Sequence, residues 1–343
     1  MKVITGGTGF IGTNLAEYFL KKGEKVQIID NFSRKGTKEN KKYLEKNFPA
    51  NLKIIKGDIR KDLKLMEKVF SEADAVFHLA GQTAVTTSIK NPRKDFEINA
   101  LGTFNVLEAL RKSKSNAVII YSSTNKVYGG MEDIKITERN NRHEYEEIPE
   151  GIKEDRLLDF HSPYGCSKGC GDQYVRDYSR IYGLNSVVFR QSCIYGKRQF
   201  GIEDQGWVAW FTIASVLGKK ITIFGDGKQI RDVLYADDLV NAFDLATKEI
   251  KKTKGKIFNI GGGPENTMSL LELIAFLEEF TGKKIEYGFD KWRPGDQPIY
   301  VSNIEKAKKV FGWQPKTSAR EGVKILADWV KTNKKEIESL KLF

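Results

Sequence analysis

The sequence has 343 residues, of which 40% are hydrophobic and 11% aromatic, enough for about two domains or one large α/β unit. This composition excludes disordered chains, collagen-like chains and small scaffolds held together by disulfides. The formal net charge is +12, from 57 Lys and Arg against 45 Asp and Glu. Most of the lysines stand among acidic residues, which indicates solvated helix faces rather than a surface that binds nucleic acid.

Several further classes of protein are disfavoured. No apolar run reaches the roughly 18 residues of a membrane span, so no membrane association is expected. The strand-like start at residues 2–4 lacks the regions of a signal peptide. The three cysteines form no disulfide framework or zinc pattern, and the three histidines show no metal-ligand spacing. These features predict a cytoplasmic protein without a metal site.

Short apolar runs alternate with amphipathic stretches along the first 190 residues. Runs of four to six mostly apolar residues suit strands that are buried on both faces. Strands separated by helices imply right-handed βαβ crossovers and therefore a doubly wound parallel sheet. A helix is predicted at about 12–22, and strands are predicted at 2–5, 25–30, 52–58, 75–80, 117–121 and 186–190.

The second half of the chain predicts a smaller lobe. Another strand is predicted at 256–260, and the chain is expected to become helical again after the glycines at 261–263. We therefore assign residues 1–190 and about 236–263 to the sheet domain, and about 191–235 and 264–343 to a smaller mixed α/β lobe. The polar stretch 135–160 is interpreted as an insertion near the active site.

A glycine-rich turn, Thr-Gly-Gly-Thr-Gly-Phe-Ile-Gly at residues 5–12, follows the first predicted strand. Gly6, Gly9 and Gly12 would permit a tight turn and a close approach to a pyrophosphate, which the N-terminus of the next helix attracts. Asp30 closes the second strand, where a carboxylate would bind a ribose diol and repel a 2′-phosphate. The pattern predicts a Rossmann-type dinucleotide site that prefers NAD to NADP.

Two residues near this turn leave alternatives open. Arg34 weakens the preference for NAD without reversing it. Asp58 and Ile59 end the third strand and could border the adenine, but Asp58 could instead cap a helix.

Tyr164 and Lys168 form a Tyr-x-x-x-Lys pair on a helix predicted to begin near Pro163, and their spacing places both side chains on one face. A phenol normally titrates near pH 10. We expect the Lys168 ammonium and the positive charge of nicotinamide to lower the pKa of Tyr164. Hydroxyl side chains at residues 122–124 follow a predicted sheet strand, at the edge where ligands of open α/β sheets bind.

The glycine turn, the hydroxyl cluster and the Tyr/Lys pair, in this order, resemble the extended short-chain dehydrogenase/reductase superfamily. The resemblance covers nearly the whole chain and includes residues 78–82, 224–233 and 293–296. It implies that Thr124, Tyr164 and Lys168 are the catalytic residues. It also implies that Asn99 orders the junction between strand and helix and a proton-relay water.

The resemblance further implies NAD as the cofactor and a set of residues that contact it. For Gln191 in this set, a hydrogen bond within the core is the alternative. The set consists of Gly6, Gly9, Phe10, Ile11, Gly12, Asp30, Asn31, Arg34, Asp58, Ile59, Leu79, Ala80, Gln82, Asn99, Tyr164, Lys168 and Gln191.

Within the superfamily, residues 123–129, 158–169, 198–200 and 204–207 are similar to the CDP-paratose 2-epimerases, also called CDP-tyvelose 2-epimerases. Dehydratases commonly carry Asp-Glu beside the hydroxyl residue, whereas Thr124 precedes Asn125 and Lys126, so loss of water is disfavoured. The resemblance implies an isomerase that inverts C2 of a CDP-hexose through a 2-keto sugar. The alternative is a UDP-sugar 4-epimerase of the same superfamily.

The implied substrate is CDP-paratose or CDP-tyvelose, or CDP-glucose or CDP-mannose, and the implied assembly is a homodimer or homotetramer. Arginine forks bind phosphate oxygens in bidentate fashion, which makes Arg231 and Arg293 candidates for the substrate pyrophosphate. The complete implied substrate set is Thr124, Asn125, Gln199, Phe200, Arg231 and Arg293.

Overall fold

The computed structural model describes residues 1–342, in which strands and helices alternate over most of the chain. The strands, in chain order, are Lys2–Thr5 (β1), Val26–Asp30 (β2), Leu52–Lys56 (β3), Ala75–His78 (β4), Val118–Thr124 (β5), Ile136–Arg139 (β6), Arg142–Tyr145 (β7), Asn185–Gln191 (β8), Cys193–Tyr195 (β9), Ile221–Phe224 (β10), Ile230–Tyr235 (β11), Ile257–Ile260 (β12), Thr267–Ser269 (β13), Tyr287–Asp290 (β14) and Ile299–Tyr300 (β15).

Most of the longer helices follow a strand, as crossover connections require. The α-helices are Phe10–Lys21 (α1), Thr37–Asn47 (α2), Leu63–Phe70 (α3), Val85–Lys90 (α4), Pro92–Phe96 (α5), Gly102–Lys112 (α6), Ser162–Tyr182 (α7), Trp207–Leu217 (α8), Ala236–Lys248 (α9), Ile250–Thr253 (α10), Leu270–Thr281 (α11), Glu305–Phe311 (α12), Ala319–Thr332 (α13) and Lys334–Ser339 (α14). A π-helix covers Glu97–Leu101, and 3-10 turns cover Asn125–Tyr128 and Pro264–Asn266. Among residues 1–342, no helix has both the length and the apolar character needed to cross a bilayer.

A seven-stranded parallel sheet in the order β12-β8-β5-β4-β1-β2-β3 forms the centre of the fold. Strand order reverses direction between β4 and β1, which is where open α/β sheets bind ligands. Every residue of β2, β4 and β12 is buried, because helices cover both faces of the sheet. The predicted doubly wound α/β fold is confirmed.

Strand β5 extends further than its apolar run indicated. The predicted strand ended at Tyr121, whereas β5 continues through the hydroxyl residues to Thr124. The extra residues stay in the sheet because β8 pairs with β5 along its length, with Thr124 opposite Gln191. Residues 122–124 therefore form the end of a buried strand, and their pairing with β8 fixes the directions of their side chains.

Short strands also occur where only helices were expected. Beyond the glycines at 261–263, β13, β14 and β15 precede the last helices. β11 pairs with β9 and β15 in parallel and with β13 in antiparallel direction, and β10 pairs with β14. These strands have two to four residues, too few for a periodic pattern to identify them.

The polar segment 135–160 contains the β6–β7 hairpin and does not line the main cleft. Its His143 N–H donates to the Lys228 carbonyl at 3.2 Å, and Ile152 bridges to Ser302. The segment thus packs on the strands after residue 220, while its Asp159 N–H donates to the Val127 carbonyl at 3.1 Å, three residues beyond Thr124. Its interpretation as an insertion near the active site stays a prediction. The many charged residues of this segment indicate that it is exposed to solvent, but they do not show which strands it covers.

Part of the C-terminal segment packs on the large sheet. Phe311 stacks on Phe189 of β8 with 6.3 Å between ring centroids, and Trp313 donates a hydrogen bond to the Asp238 carbonyl at 2.9 Å. Both aromatic side chains belong to the same buried cluster as β8 and β12. Residues near 311 therefore contribute to the core of the sheet, although the sequence grouped them with the smaller lobe.

Candidate active site

A cleft of about 380 Å³ opens at the carboxyl ends of β1, β2, β5 and β8. The glycine-rich turn and the end of β2 form one side, and residues 198–208 form the other. The end of β5 and the first turns of α7 form its floor, with Thr124, Tyr164 and Lys168 in the lining. The topology thus brings together segments that are far apart in the sequence.

The glycine turn has no room for a side chain at Gly6 or at Gly12. Gly6 has a φ of +70°, and a Cβ atom there would lie 2.7 Å from the Ala80 backbone. A Cβ at Gly12 would lie 2.5 Å from the Gly7 Cα. Helix α1 begins after Gly9 without a side-chain cap, so its first N–H groups remain able to bind an anion.

Asp30 is buried at the end of β2, with its carboxylate held by the backbone. One oxygen accepts the Thr8 N–H at 3.0 Å and the other accepts the Phe32 N–H at 2.8 Å. Carboxylate oxygens have further lone pairs, so a ribose diol could still bind. Arg34 donates to Thr83 at 2.8 Å and to Gln205 across the cleft.

Asp58 lines the cleft but does not cap a helix. Arg60 holds its carboxylate through bonds of 2.7 to 3.3 Å, and Asn31 donates to it at 3.2 Å. The hydrogen bonds from the Arg60 side chain hold the pKa of Asp58 well below its usual range. Helix α3 follows Asp62 instead, so the helix-cap alternative for Asp58 is wrong.

Three buried side chains from β5 and α7 meet at the floor of the cleft. Thr124 ends β5, while Tyr164 and Lys168 are one helical turn apart on α7. The helix begins with Ser162, at a φ of +67°, and Pro163. Proline suits the first turn of a helix because the N–H that it lacks would have no partner there.

Burial dominates the protonation of these groups. It raises the pKa of Tyr164 to about 12, although a hydrogen bond with Thr124 acts in the opposite direction. Burial lowers the pKa of Lys168 to about 7. Lys168 Nζ donates to the Ser122 carbonyl and lies 4.2 Å from the centre of the Tyr121 ring. The expected lowering of the Tyr164 pKa by Lys168 is therefore not present in the chain alone.

Most of the predicted cofactor residues line the cleft. The exceptions are Gln82 and Asn99, which lie behind it and bind each other. The Gln82 N–H donates to Asn99 Oδ1 at 2.9 Å, and Asn99 Nδ2 lies 3.1 Å from the Gln82 carbonyl. The lining members are Gly6, Gly9, Phe10, Ile11, Gly12, Asp30, Asn31, Arg34, Asp58, Ile59, Leu79, Ala80, Tyr164, Lys168 and Gln191.

The predicted substrate residues divide into two groups. Thr124, Asn125, Gln199 and Phe200 line the cleft, whereas Arg231 and Arg293 do not.

The two arginines bind other parts of the chain instead. Arg231 is buried and donates to Asp296 and to the Gln297 carbonyl, both at 2.6 Å. Arg293 donates to the Glu203 carbonyl at 3.0 Å and stacks on Phe224 at 3.8 Å. Their assignment to the substrate pyrophosphate stays a prediction.

Lys126 is a cleft residue that sequence reasoning did not assign to the site. Its Nζ donates to the Gly295 carbonyl at 3.1 Å and to Gln297 at 3.2 Å, and lies 3.6 Å from Asp296. Burial lowers the pKa of Lys126 to about 8. Its position two residues after Thr124, where dehydratases carry an acid, was the available signal.

A surface group that spacing did not indicate joins His161 to two carboxylates. His161 Nε2 lies 3.0 Å from the Asp159 carboxylate. Glu132 completes the group, in which each of the three residues offers one possible ligand atom and these atoms lie within 4.8 Å of one another. The group is largely exposed and lies outside the cleft lining.

The cleft can accommodate a dinucleotide. The side-chain nitrogen of Gln191 is buried, finds no hydrogen-bond partner among the described residues and belongs to the lining. The side-chain oxygen of Gln191 accepts from Ser122 at 3.0 Å. This free donor suits a carboxamide oxygen such as that of nicotinamide. The uncapped start of α1 suits a pyrophosphate, and the carboxylate of Asp30 suits a ribose diol.

Known proteins resemble this chain over nearly its whole length. The chain is 47% identical to CDP-paratose 2-epimerase from Salmonella typhi, over 95% of this chain and 98% of that protein. The solved structure of UDP-glucose 4-epimerase with UDP-glucose from Thermotoga maritima is 32% identical with a TM-score of 0.83, covering 97% of this chain and 99% of that one. UDP-glucuronic acid 4-epimerase from Bacillus cereus, in complex with UDP-glucuronic acid and NAD, is 30% identical with the same TM-score and coverage.

The family described as GDP-mannose 4,6 dehydratase matches residues 3–326. The predicted resemblance to the extended short-chain dehydrogenases/reductases, and within them to CDP-paratose 2-epimerase, is confirmed. The chain therefore belongs to the GDP-mannose 4,6 dehydratase family of extended short-chain dehydrogenases/reductases.

Proposed function

We propose that this protein is an NAD-dependent isomerase that inverts C2 of a CDP-hexose. The substrate pair is CDP-paratose and CDP-tyvelose, or CDP-glucose and CDP-mannose. One observation carries the proposal: a hydroxyl, a phenol and an ammonium meet in one cleft of a chain that is 47% identical to a CDP-paratose 2-epimerase. The chemistry that NAD supplies when bound is reversible oxidation of the C2 alcohol to a ketone.

Tyr164 is the proton acceptor for the C2 hydroxyl, and it returns the proton when the alcohol forms again. Thr124 donates a hydrogen bond to the same sugar oxygen and holds it against the phenol. Because burial raises the pKa of Tyr164 to about 12, the phenolate requires positive charge nearby. Lys168, one turn further along α7, provides it and binds the ribose of the cofactor.

The absence of an acid beside Thr124 supports epimerisation over dehydration. Asn125 and Lys126 occupy the two positions that commonly hold Asp and Glu in dehydratases, and both line the cleft. Neither residue can donate a proton to a departing hydroxyl as readily as a carboxylic acid of raised pKa. The sugar is therefore released with all of its hydroxyl groups.

Four further residues are proposed to contact the nucleotide sugar: Gln199 and Phe200 from the cleft lining, and two arginines outside it. We assign Gln199 and Phe200 to the sugar or the nucleotide. We assign Arg231 and Arg293 to the pyrophosphate, which requires each guanidinium to exchange a present partner for a phosphate oxygen. Residues of about 191–235 and 264–343 carry these contacts as a nucleotide-sugar-binding lobe.

We further propose a homodimer or homotetramer that assembles through α6 and α7. Phe104 of α6 lies 5.7 Å from the ring of Tyr174 on α7, and both remain partly exposed. Ile181 and Tyr182 extend the apolar surface along α7 with 66% and 51% exposure. Such a contiguous apolar face is typical of an interface between subunits.

The test is to incubate the purified protein separately with CDP-paratose, CDP-glucose and UDP-glucose and to separate the products by chromatography. Conversion of a CDP-sugar to its C2 epimer is the expected result. Conversion of UDP-glucose to UDP-galactose with no reaction of either CDP-sugar would contradict the proposal and establish the 4-epimerase alternative. The Tyr164→Phe variant is the control for a contaminating host enzyme.

A further inference from the structure

Asp95 is a buried carboxylate directly behind the proposed active site, and its role is not explained by the mechanism above. It lies near the end of α5, with 1% of its surface exposed. A π-helix follows α5 immediately. Such wide turns frequently occur at functional sites.

Three side chains donate to the Asp95 carboxylate. Ser167 donates to one oxygen at 2.5 Å. Gln82 and Asn99 donate to the other oxygen at 2.7 and 3.1 Å. Hydrogen bonds to an ionised group are shorter and stronger than those between neutral groups. The network is therefore a firm link between α5, the π-helix and α7.

Ser167 connects this network to the catalytic turn. It precedes Lys168 in the sequence, and its hydroxyl oxygen lies 3.1 Å from the carbonyl oxygen of Tyr164. The Tyr164 N–H is held in addition by Ser88 of α4 at 3.1 Å. The turn of α7 between Tyr164 and Lys168 is thus anchored by two side chains, Ser88 and the Ser167 that binds Asp95.

The charge of Asp95 also acts on Lys168. The groups that face Lys168 are Asp95 from α5, Asp172 from α7 and the neutral His78 from β4, together with the Tyr121 ring. Asp172 already forms a buried ion pair with Arg190 at 2.9 Å. Among residues 1–342, no ion pair within 4.0 Å is formed by Asp95, so its charge is less neutralised than that of Asp172.

We propose that Asp95 is a positioning residue for the reaction: its carboxylate fixes the Tyr164–Lys168 turn through Ser167 and favours the cationic form of Lys168. This inference rests on the proposed function. It applies to proton transfer at the phenol, because Lys168 can stabilise the phenolate only while it carries its own proton. Sequence spacing gives no indication of this role.

The Asp95→Asn variant removes the charge and preserves the shape. The asparagine oxygen can accept from Gln82 and Asn99, and its NH₂ group can donate to the Ser167 oxygen. The Ser167→Ala variant removes the hydroxyl that links Asp95 to α7 and leaves the Asp95 carboxylate in place. Asp238→Asn is the matched control: Asp238 is also buried and accepts backbone N–H groups at 2.9 and 3.0 Å.

The direction of the pH effect follows from the two pKa values. Asp95 raises the pKa of Lys168, so without its charge the ammonium loses its proton at lower pH. Asp95 also raises the pKa of Tyr164, whereas Thr124 and Arg34 lower it, so without the charge of Asp95 the phenol ionises at lower pH as well. Both limbs of the kcat/KM profile move in the same direction.

The experiment measures kcat/KM for the CDP-sugar from pH 6 to pH 10 in the wild type and the three variants. We expect Asp95→Asn to shift the whole profile to lower pH by about one pH unit, which is a tenfold change in rate on a limb of the profile. Ser167→Ala is expected to lower kcat while its profile keeps the wild-type limbs. Asp238→Asn is expected to match the wild type. Circular dichroism and thermal unfolding establish that each variant is folded.

An Asp95→Asn profile that superimposes on that of the wild type, at equal kcat, would overturn the inference. If the Asp95→Asn variant does not fold, the Ser167→Ala variant provides the test. A kcat of Ser167→Ala within twofold of the wild-type value would then overturn the inference. Failure of the proposed function gives a different result, because the wild type itself would then leave the CDP-sugar unchanged at every pH.

Discussion

Replacing Tyr164 with Phe removes one hydroxyl from the floor of the cleft and, in this account, the only proton acceptor for the sugar. General acid–base catalysis typically contributes 10²–10⁴-fold to a rate. We therefore expect kcat to fall by roughly 10²–10⁴-fold, equivalent to about 2.7–5.5 kcal/mol of transition-state free energy. Substrate affinity is expected to change little, because the ring and its packing remain.

The pKa of the phenol makes this prediction more specific. With a pKa of about 12, only about one Tyr164 in 10⁴ is ionised at pH 8. The charge of Lys168 and of the oxidised cofactor must therefore supply most of the ionisation. Depletion of NAD is expected to leave the phenol protonated, so reconstitution with NAD should restore a tyrosinate absorbance that Tyr164→Phe lacks.

The assay compares initial rates of CDP-sugar epimerisation for the wild type, Tyr164→Phe and Tyr174→Phe. Tyr174 lies on the same helix, but its side chain is 43% exposed and outside the cleft, so its variant is expected to keep the wild-type rate. Loss of the Tyr164 hydroxyl costs about 1 kcal/mol of stability or less, which leaves the fold intact. A Tyr164→Phe variant with more than about a tenth of the wild-type kcat would refute the assigned role.

Three further variants test the cofactor site, the core and the assembly. Gly12→Val places a Cβ atom 2.5 Å from the Gly7 Cα, so the purified variant is expected to contain no NAD, and wild-type NAD content would contradict the site. Arg190→Met leaves Asp172 buried and unpaired, which is expected to cost about 3–5 kcal/mol in urea unfolding, and a loss below about 1 kcal/mol would contradict the importance of the pair. Phe104→Glu introduces charge into the proposed interface and is expected to release monomers in light scattering, whereas an unchanged mass would place the interface elsewhere.

The sheet and the centre of the site could be predicted because their patterns are local. The glycine turn lies within eight residues, and Tyr164 and Lys168 are one turn apart on a helix whose proline start is visible in the sequence. In each case the backbone geometry follows from neighbouring residue types. The same reasoning identified Thr124 at the end of a strand but underestimated the length of that strand.

Features that depend on distant residues could not be predicted. Asp95 is one acid in a charged stretch, and only the folded chain brings Gln82 and Ser167 to it. Arg231 was expected in the cleft, but its direction depends on Asp296 in a loop more than sixty residues later. The pKa of Tyr164 likewise depends on burial, which residue spacing does not reveal.

The most direct test of the account is proton NMR of the CDP-sugar formed from CDP-paratose, or from CDP-glucose, in D₂O. The account predicts inversion at C2 alone and a C2 position that retains hydrogen, because the carbon-bound hydrogen stays within the closed site. Inversion at C4 would contradict the proposed reaction. Substantial deuterium at C2 would contradict the proposed chemistry, since it would require exchange of the carbon-bound hydrogen with solvent.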